Sequence, residues 1–222
     1  MKFAPSAVLF DLDGTLLDTA PDMARVLNQL LSERGRPVLP TATIRPVVSH
    51  GSLGLLQLGF GFGAEHTEFA DLRQRFLDLY HNDLTGSGTA LFPGMAAVLT
   101  ALEQQGIPWG IVTNKPEYLT WPLLSLLALD TRSACVVGGD TVARAKPDPL
   151  PLLHACALLG VVPERCVYVG DAERDVVAGQ RAGMATVIAR YGYIGSQDTP
   201  DAWGAHASID HPQALLDLLI QP

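Results

Sequence analysis

The 222 residues carry 15 Lys and Arg against 23 Asp and Glu, a formal net charge of −8 with a pI near 5.1. No basic run offsets that balance, which excludes nucleic acid and anionic membrane as partners held by clustered cations. A hydrophobic content of 48% and a mean hydropathy of +0.21 describe a core-forming chain rather than a disordered one, and no apolar run reaches bilayer-spanning length.

The chain opens with AVLFDLDGTLLDT, Ala7 to Thr19. Val8, Leu9 and Phe10 read as a buried strand that runs directly into Asp11 and Asp13. A surface Asp-Gly turn uses the same letters, but carboxylates beside a buried strand are costly unless something compensates them. Residues from about Pro21 to Ser87 hold no convincing strand. Met23, Val26, Leu27, Leu30 and Leu31 form one helical stripe, and Phe69, Leu72, Phe76 and Leu79 another. Gly35-Arg36-Pro37 and the glycine-rich stretch 58–65 separate helices, and Gly59–Gly63 is expected to leave this region some freedom. Gly54, Gly59, Gly61 and Gly63 lack the spacing and preceding strand of a dinucleotide fingerprint.

Past this region, helices are expected over about Gly94–Gln105, Tyr118–Leu127, Pro149–Leu159 and Asp175–Ala182. They alternate with short apolar strands at Trp109–Val112, Ala134–Val137, Cys166–Val169 and Ala185–Ala189. Non-alternating strands in that rhythm indicate a Rossmann-like, doubly wound parallel α/β core. The long segment before it is an inserted helical cap. Residues 1–18 and 89–222 form the core and 19–88 the cap, with links near Asp18–Pro21 and Gly86–Pro93; the second reads equally as a hinge or a plain loop. Cys135, Cys156 and Cys166 form no CxxC pair and read as buried free thiols. With no signal-like N-terminal segment, a cytoplasmic protein without an obligate protein partner is expected.

Ligands of parallel α/β sheets collect beyond the carboxyl ends of the strands. There the sequence places Asp11 and Asp13, then Thr113, Asn114 and Lys115, then Gly170 and Asp171 with Asp175 one helical turn later; Lys146 lies within ARAKPDP. This set suits a hard divalent cation, Mg²⁺, with Asp11 and Asp171 as ligands and Asp175 behind them. It also suits a phosphate held by Thr113, Asn114 and Lys146. Two unit charges 4 Å apart interact by roughly 4 kcal/mol at an effective dielectric near 20, so phosphate approaches Asp11 only with metal and lysine beside it. In the cap, Arg45, His50, Gly51 and Ser52 read either as contacts to a leaving group or as a helix start capped by Ser52. Arg190 reads either as a partner for a substrate carboxylate or as half of a structural ion pair. The other histidines lack metal-site spacing.

DLDGT, VTNK, Lys146 and GDAERD occur in the order of the four motifs of the haloacid dehalogenase-like phosphohydrolase superfamily, which the chain resembles over nearly its whole length. The resemblance implies Asp11 as nucleophile through an aspartyl-phosphate and Asp13 as general acid and then base. It further implies Mg²⁺ held by Asp11, the main-chain carbonyl of Asp13 and Asp171, with Thr113 and Lys146 on the phosphoryl group. The cap is similar to that of the phosphoglycolate phosphatase and β-phosphoglucomutase branch. Arg190–Ile194, Trp203–Ala205 and Asp210–Pro212 resemble a group that includes N-acetylmuramic acid 6-phosphate phosphatases. A small phosphorylated metabolite is the implied partner, with 2-phosphoglycolate or N-acetylmuramate 6-phosphate as substrate. A phosphomutase, a haloacid dehalogenase and a non-enzymatic interaction protein are the alternatives on the same fold.

Overall fold

The computed structural model describes residues 2–84 and 88–219. In chain order it contains β1 (Ala7–Phe10), β2 (Leu17–Asp18), α1 (Ala20–Glu33), α2 (Thr41–Ile44), α3 (Gly51–Phe60), α4 (Phe69–Asp83), β3 (Ala90–Leu91) and α5 (Met95–Gln104). Then follow β4 (Trp109–Val112), α6 (Glu117–Leu126), β5 (Cys135–Val137), α7 (Leu150–Leu159), β6 (Cys166–Gly170), α8 (Glu173–Ala182), β7 (Ala185–Ala189), β8 (Ala207–Ile209) and α9 (Ala214–Leu218). A short 3₁₀ segment, Arg45–His50, leads into α3.

Six strands form one parallel sheet in the order β5-β4-β1-β6-β7-β8. β1 lies between β4 and β6 and is buried along its whole length, as a run of four apolar residues without alternation requires. Its carboxyl end therefore sits beside those of β4 and β6, which brings three of the polar strand ends together. The five strands read from the sequence are all present. β8 is an addition: with Ser208 in its middle and only three residues, it forms because β7 offers it an edge.

The long first connection is the expected helical insertion. α1 buries Met23, Val26, Leu27, Leu30 and Leu31, and α4 buries Phe69, Leu72, Phe76 and Leu79. One apolar cluster runs from these side chains to Val8 and Phe10 of the sheet. Two expectations need correction. Gly59 lies inside α3 rather than in an open segment, and a Cβ there would meet Leu27 and Leu31 at 3.1 and 3.2 Å, so the residue permits close packing of α3 on α1. Ser52 does not cap α3, which begins at Gly51.

The two links between insertion and sheet run side by side as an antiparallel pair, β2 with β3, Leu17 opposite Leu91 and Asp18 opposite Ala90. Residues 85–87, with the start of the expected second link, lie outside the described residues. Just past them, buried Asp22 accepts the main-chain N–H groups of Gly88 and Thr89 at 2.8 and 3.0 Å and the Thr89 hydroxyl, and pairs with Arg25 at 3.0 Å. Asp22→Ala strands those donors, and each unsatisfied buried group costs about 1–3 kcal/mol. Chemical denaturation is expected to show a loss of about 2–4 kcal/mol; a loss below about 0.5 kcal/mol contradicts this anchoring role.

Candidate active site

Asp11 follows β1, Asp171 follows β6, and Asp175 stands in the first turn of α8. One carboxylate oxygen from each lies within 4.8 Å of the others, and all three side chains are buried. Two glycines make the approach possible. Gly14 has φ +88°, and a Cβ there would stand 2.2 Å from Asp171 Oδ2; a Cβ on Gly170 would stand 2.4 Å from the Asp175 Cβ.

Lys146 Nζ pairs with two of these three carboxylates. It lies 2.9 Å from Asp11 Oδ1 and 2.8 Å from Asp175 Oδ1, and it donates to the Val112 carbonyl at 2.9 Å and the Tyr168 hydroxyl at 2.6 Å. Asp175 Oδ2 also accepts the Ala172 N–H at 3.1 Å, so this residue fastens its own helix start while facing the cluster. Asp11 Oδ1 accepts the Leu12 N–H at 2.8 Å. Asp171 accepts hydroxyls from Thr15 at 3.3 Å and Ser49 at 2.5 Å, and the Tyr193 N–H at 2.8 Å.

Burial, reinforced by the charges of Asp11 and Asp175, pushes the Asp171 carboxyl up to about 7. Burial likewise raises Asp11, against the opposing pull of Lys146. One ammonium does not neutralise three packed carboxylates. A buried set of hard oxygen donors, with Asp11 and Asp171 raised above the usual carboxylate range, is what a small divalent cation offsets.

Asp11 and Asp13 also line a cavity of about 580 Å³ between the strand ends and the insertion. Lys115 Nζ lies 3.0 Å from Asp13 Oδ1 and 2.9 Å from the hydroxyl of Tyr80, a residue of α4. Burial alone would discharge Lys115, but Asp13 and Tyr80 keep it protonated and above the ordinary lysine range. The Thr113 oxygen accepts the Lys115 N–H at 3.1 Å, leaving its own proton for a ligand. The upper walls are largely apolar, with Val48, Leu53, Phe69, Phe76 and Leu77.

Asp11, Asp13, Thr113, Asn114 and His50 all line the cavity. The Asn114 amide is committed to the main chain of Lys146, donating to its carbonyl at 2.9 Å and accepting its N–H at 3.0 Å. Arg45 and Arg190 stand apart from it. Arg45 pairs with Asp18 at 2.9 Å and lies over the Tyr193 ring, and Arg190 pairs with Asp201. Five residues that the sequence reading assigned no role enter the site: Ser49, Arg73, Tyr80, Lys115 and Arg174. Lys115 and Arg174 sit inside the quoted VTNK and GDAERD stretches. Tyr80 continues the α4 stripe, where its spacing reads as core. Arg73 donates to the Ser52 hydroxyl at 3.2 Å, a contact no local pattern announces.

A family model described as haloacid dehalogenase-like hydrolase matches residues 8–189. The chain is 48% identical over 218 residues to a phosphoglycolate phosphatase of Xanthomonas campestris pv. campestris, covering 97% of this chain and 96% of that one. It is 42% identical over 213 residues to an N-acetylmuramic acid 6-phosphate phosphatase of Pseudomonas aeruginosa, covering 96% and 94%. The crystal structure of a predicted phosphoglycolate phosphatase from Haemophilus somnus superimposes with a TM-score of 0.84 at 27% identity, covering 98% of both chains.

The Asp171 shift sets a pH signature. With its folded pKa near 7 and its ordinary value at 3.8, the folded chain holds a proton between those limits that the unfolded chain has released. This group's contribution to metal-free stability therefore falls as pH rises through that window. A cation must displace the same proton, so the rise in melting temperature on adding Mg²⁺ is expected to grow between about pH 5.5 and pH 8. A rise that stays flat or shrinks over that range contradicts the assignment.

Proposed function

The chain belongs to the haloacid dehalogenase-like hydrolases, and on that premise we propose that it is a Mg²⁺-dependent phosphomonoester phosphatase in which Asp11 is the nucleophile and Asp13 the acid–base group. The observation that carries this reading is that both carboxylates face one cavity while Asp11 also belongs to the buried acidic cluster. Asp11, Asp171 and the main-chain carbonyl of Asp13 would hold Mg²⁺, with Asp175 behind them. When bound, the cation offsets the negative charge of the carboxylates and of the phosphate.

In the first step a carboxylate oxygen of Asp11 bonds to phosphorus and the bond to the leaving oxygen breaks, while Asp13 gives that oxygen a proton. In the second, Asp13 takes a proton from water as the water oxygen attacks phosphorus, releasing inorganic phosphate and regenerating Asp11. Lys115 fixes Oδ1 of Asp13, which leaves the second oxygen to carry the proton. Thr113 donates its hydroxyl to the phosphoryl group, and Lys146 orients Asp11. The division into a core of residues 1–18 and 89–222 and a cap of 19–88 belongs to the same proposal, supported by the paired links β2 and β3.

The substrate we favour is N-acetylmuramate 6-phosphate over 2-phosphoglycolate. Relatives of both names match the chain. A cavity of about 580 Å³ with apolar upper walls offers far more room than a two-carbon acid fills, whereas an acetamido sugar with a lactyl arm uses it. Arg73 and His50 are the basic residues of the cap that face this space. The reducing cytoplasm is the proposed setting, in keeping with three buried cysteines that stand as free thiols.

Phosphate release from the two compounds should be measured side by side, with β-glucose 1-phosphate as the mutase control. The amino-sugar phosphate is expected to have the higher kcat/KM by at least tenfold, about 1.4 kcal/mol of transition-state discrimination. A tenfold preference for phosphoglycolate rejects the substrate assignment. Asp11→Asn is expected to reduce hydrolysis of p-nitrophenyl phosphate by at least about 1,000-fold, and EDTA to abolish it until Mg²⁺ is restored. Activity that survives chelation sinks the metal assignment.

A further inference from the structure

Lys146, the cation expected to meet phosphate, and the polar groups beside it are already committed elsewhere. The ammonium of Lys146 has three hydrogens and four oxygen neighbours, and Lys146 is not among the residues lining the cavity. Lys115 is shared between Asp13 and Tyr80, and the Asn114 amide is held by the Lys146 main chain. Arg174 is different. It is half-buried, lines the cavity together with Asp11, Asp13 and Thr113, and its guanidinium has no hydrogen bond or ion pair among the described residues.

The charge balance gives that guanidinium a task. With Asp13 carrying the proton it gives up in the first step, Asp11, Asp171 and Asp175 bring three negative charges against the four positive charges of Lys115, Lys146 and one divalent cation. A phosphate dianion adds two more negative charges, so one of them is left uncancelled. Arg174 supplies the missing positive charge on the cavity side, where a planar fork of N–H donors matches phosphate oxygens better than an ammonium does.

We propose that Arg174 is a phosphate-binding residue of this site, donating N–H bonds to the oxygens of the transferred phosphoryl group. This rests on the phosphatase reading above. A contact to the phosphoryl group is common to every substrate, so its loss lowers kcat/KM for all leaving groups in the same proportion. A contact to the leaving group would instead lower it for one substrate selectively.

The test compares wild type, Arg174→Lys and Arg174→Ala in Mg²⁺. Inorganic phosphate binding is followed by calorimetry, kcat/KM is measured on p-nitrophenyl phosphate and on N-acetylmuramate 6-phosphate, and thermal unfolding checks the fold. Arg174→Ala is expected to weaken phosphate binding by about 10- to 100-fold, with equal proportional losses on the two substrates and partial recovery in Arg174→Lys. Unchanged phosphate affinity in a folded Arg174→Ala protein overturns the inference, as does a loss confined to the sugar phosphate. If Arg174→Ala does not fold, Arg174→Lys decides: phosphate affinity equal to wild type and equal kcat/KM on both substrates overturn it, and a proportional loss supports it. A wild type that neither binds phosphate nor hydrolyses either ester would instead sink the phosphatase reading itself.

Discussion

Three carboxylates packed within 4.8 Å of one another, out of water, with one ammonium among them, is the constraint around which the rest of the molecule is arranged. At 4 Å and an effective dielectric near 20, each like-charge pair is repelled by roughly 4 kcal/mol. The fold can hold such a cluster only where several rigid elements end at one place. A central strand flanked by two parallel neighbours provides that meeting point. Glycines at 14 and 170 remove the side chains that would block it. Tyr168, itself buried on β6, gives Lys146 an oxygen to donate to and donates onward to the Val112 carbonyl at 2.8 Å. The cluster is thus tied to the sheet through hydrogen bonds as well as through chain connectivity.

The helical insertion is coupled to the same carboxylates. Ser49, in the 3₁₀ segment before α3, donates to Asp171, and Tyr80 of α4 accepts from the lysine that grips Asp13. Two of the four acidic side chains therefore depend on where the insertion stands. The continuous apolar cluster from α1 and α4 to β1 sets that position, and the paired links keep both chain crossings together. The chemistry of the sheet edge and the shape of the cavity above it are consequently parts of one arrangement.

The elements and the convergence of Asp11, Asp171, Asp175 and Lys146 were legible because they are local patterns read through a general rule. Short apolar runs alternating with helical stripes announce a parallel sheet, and the rule of strand ends says where its polar residues meet. What stayed hidden depends on partners distant in sequence. The pairs Arg45–Asp18 and Arg190–Asp201 span 27 and 11 residues; a structural ion pair is one of the two readings open for Arg190, but residue type alone names neither partner and does not announce the engagement of Arg45. Lys115 was in view, but its acceptor Tyr80 lies on a stripe whose spacing reads as packing. β2, β3 and β8 are two or three residues long and owe their existence to the strands they pair with.

Direct titration of the protein with Mn²⁺, followed by electron paramagnetic resonance, tests the account at its centre. One ion per chain is expected in the wild type, with binding weakened at least tenfold in Asp171→Asn and in Asp11→Asn and displaced by Mg²⁺. Absence of binding in the wild type, or binding that both variants retain at full affinity, would contradict the claim that these buried carboxylates form a single divalent-cation site.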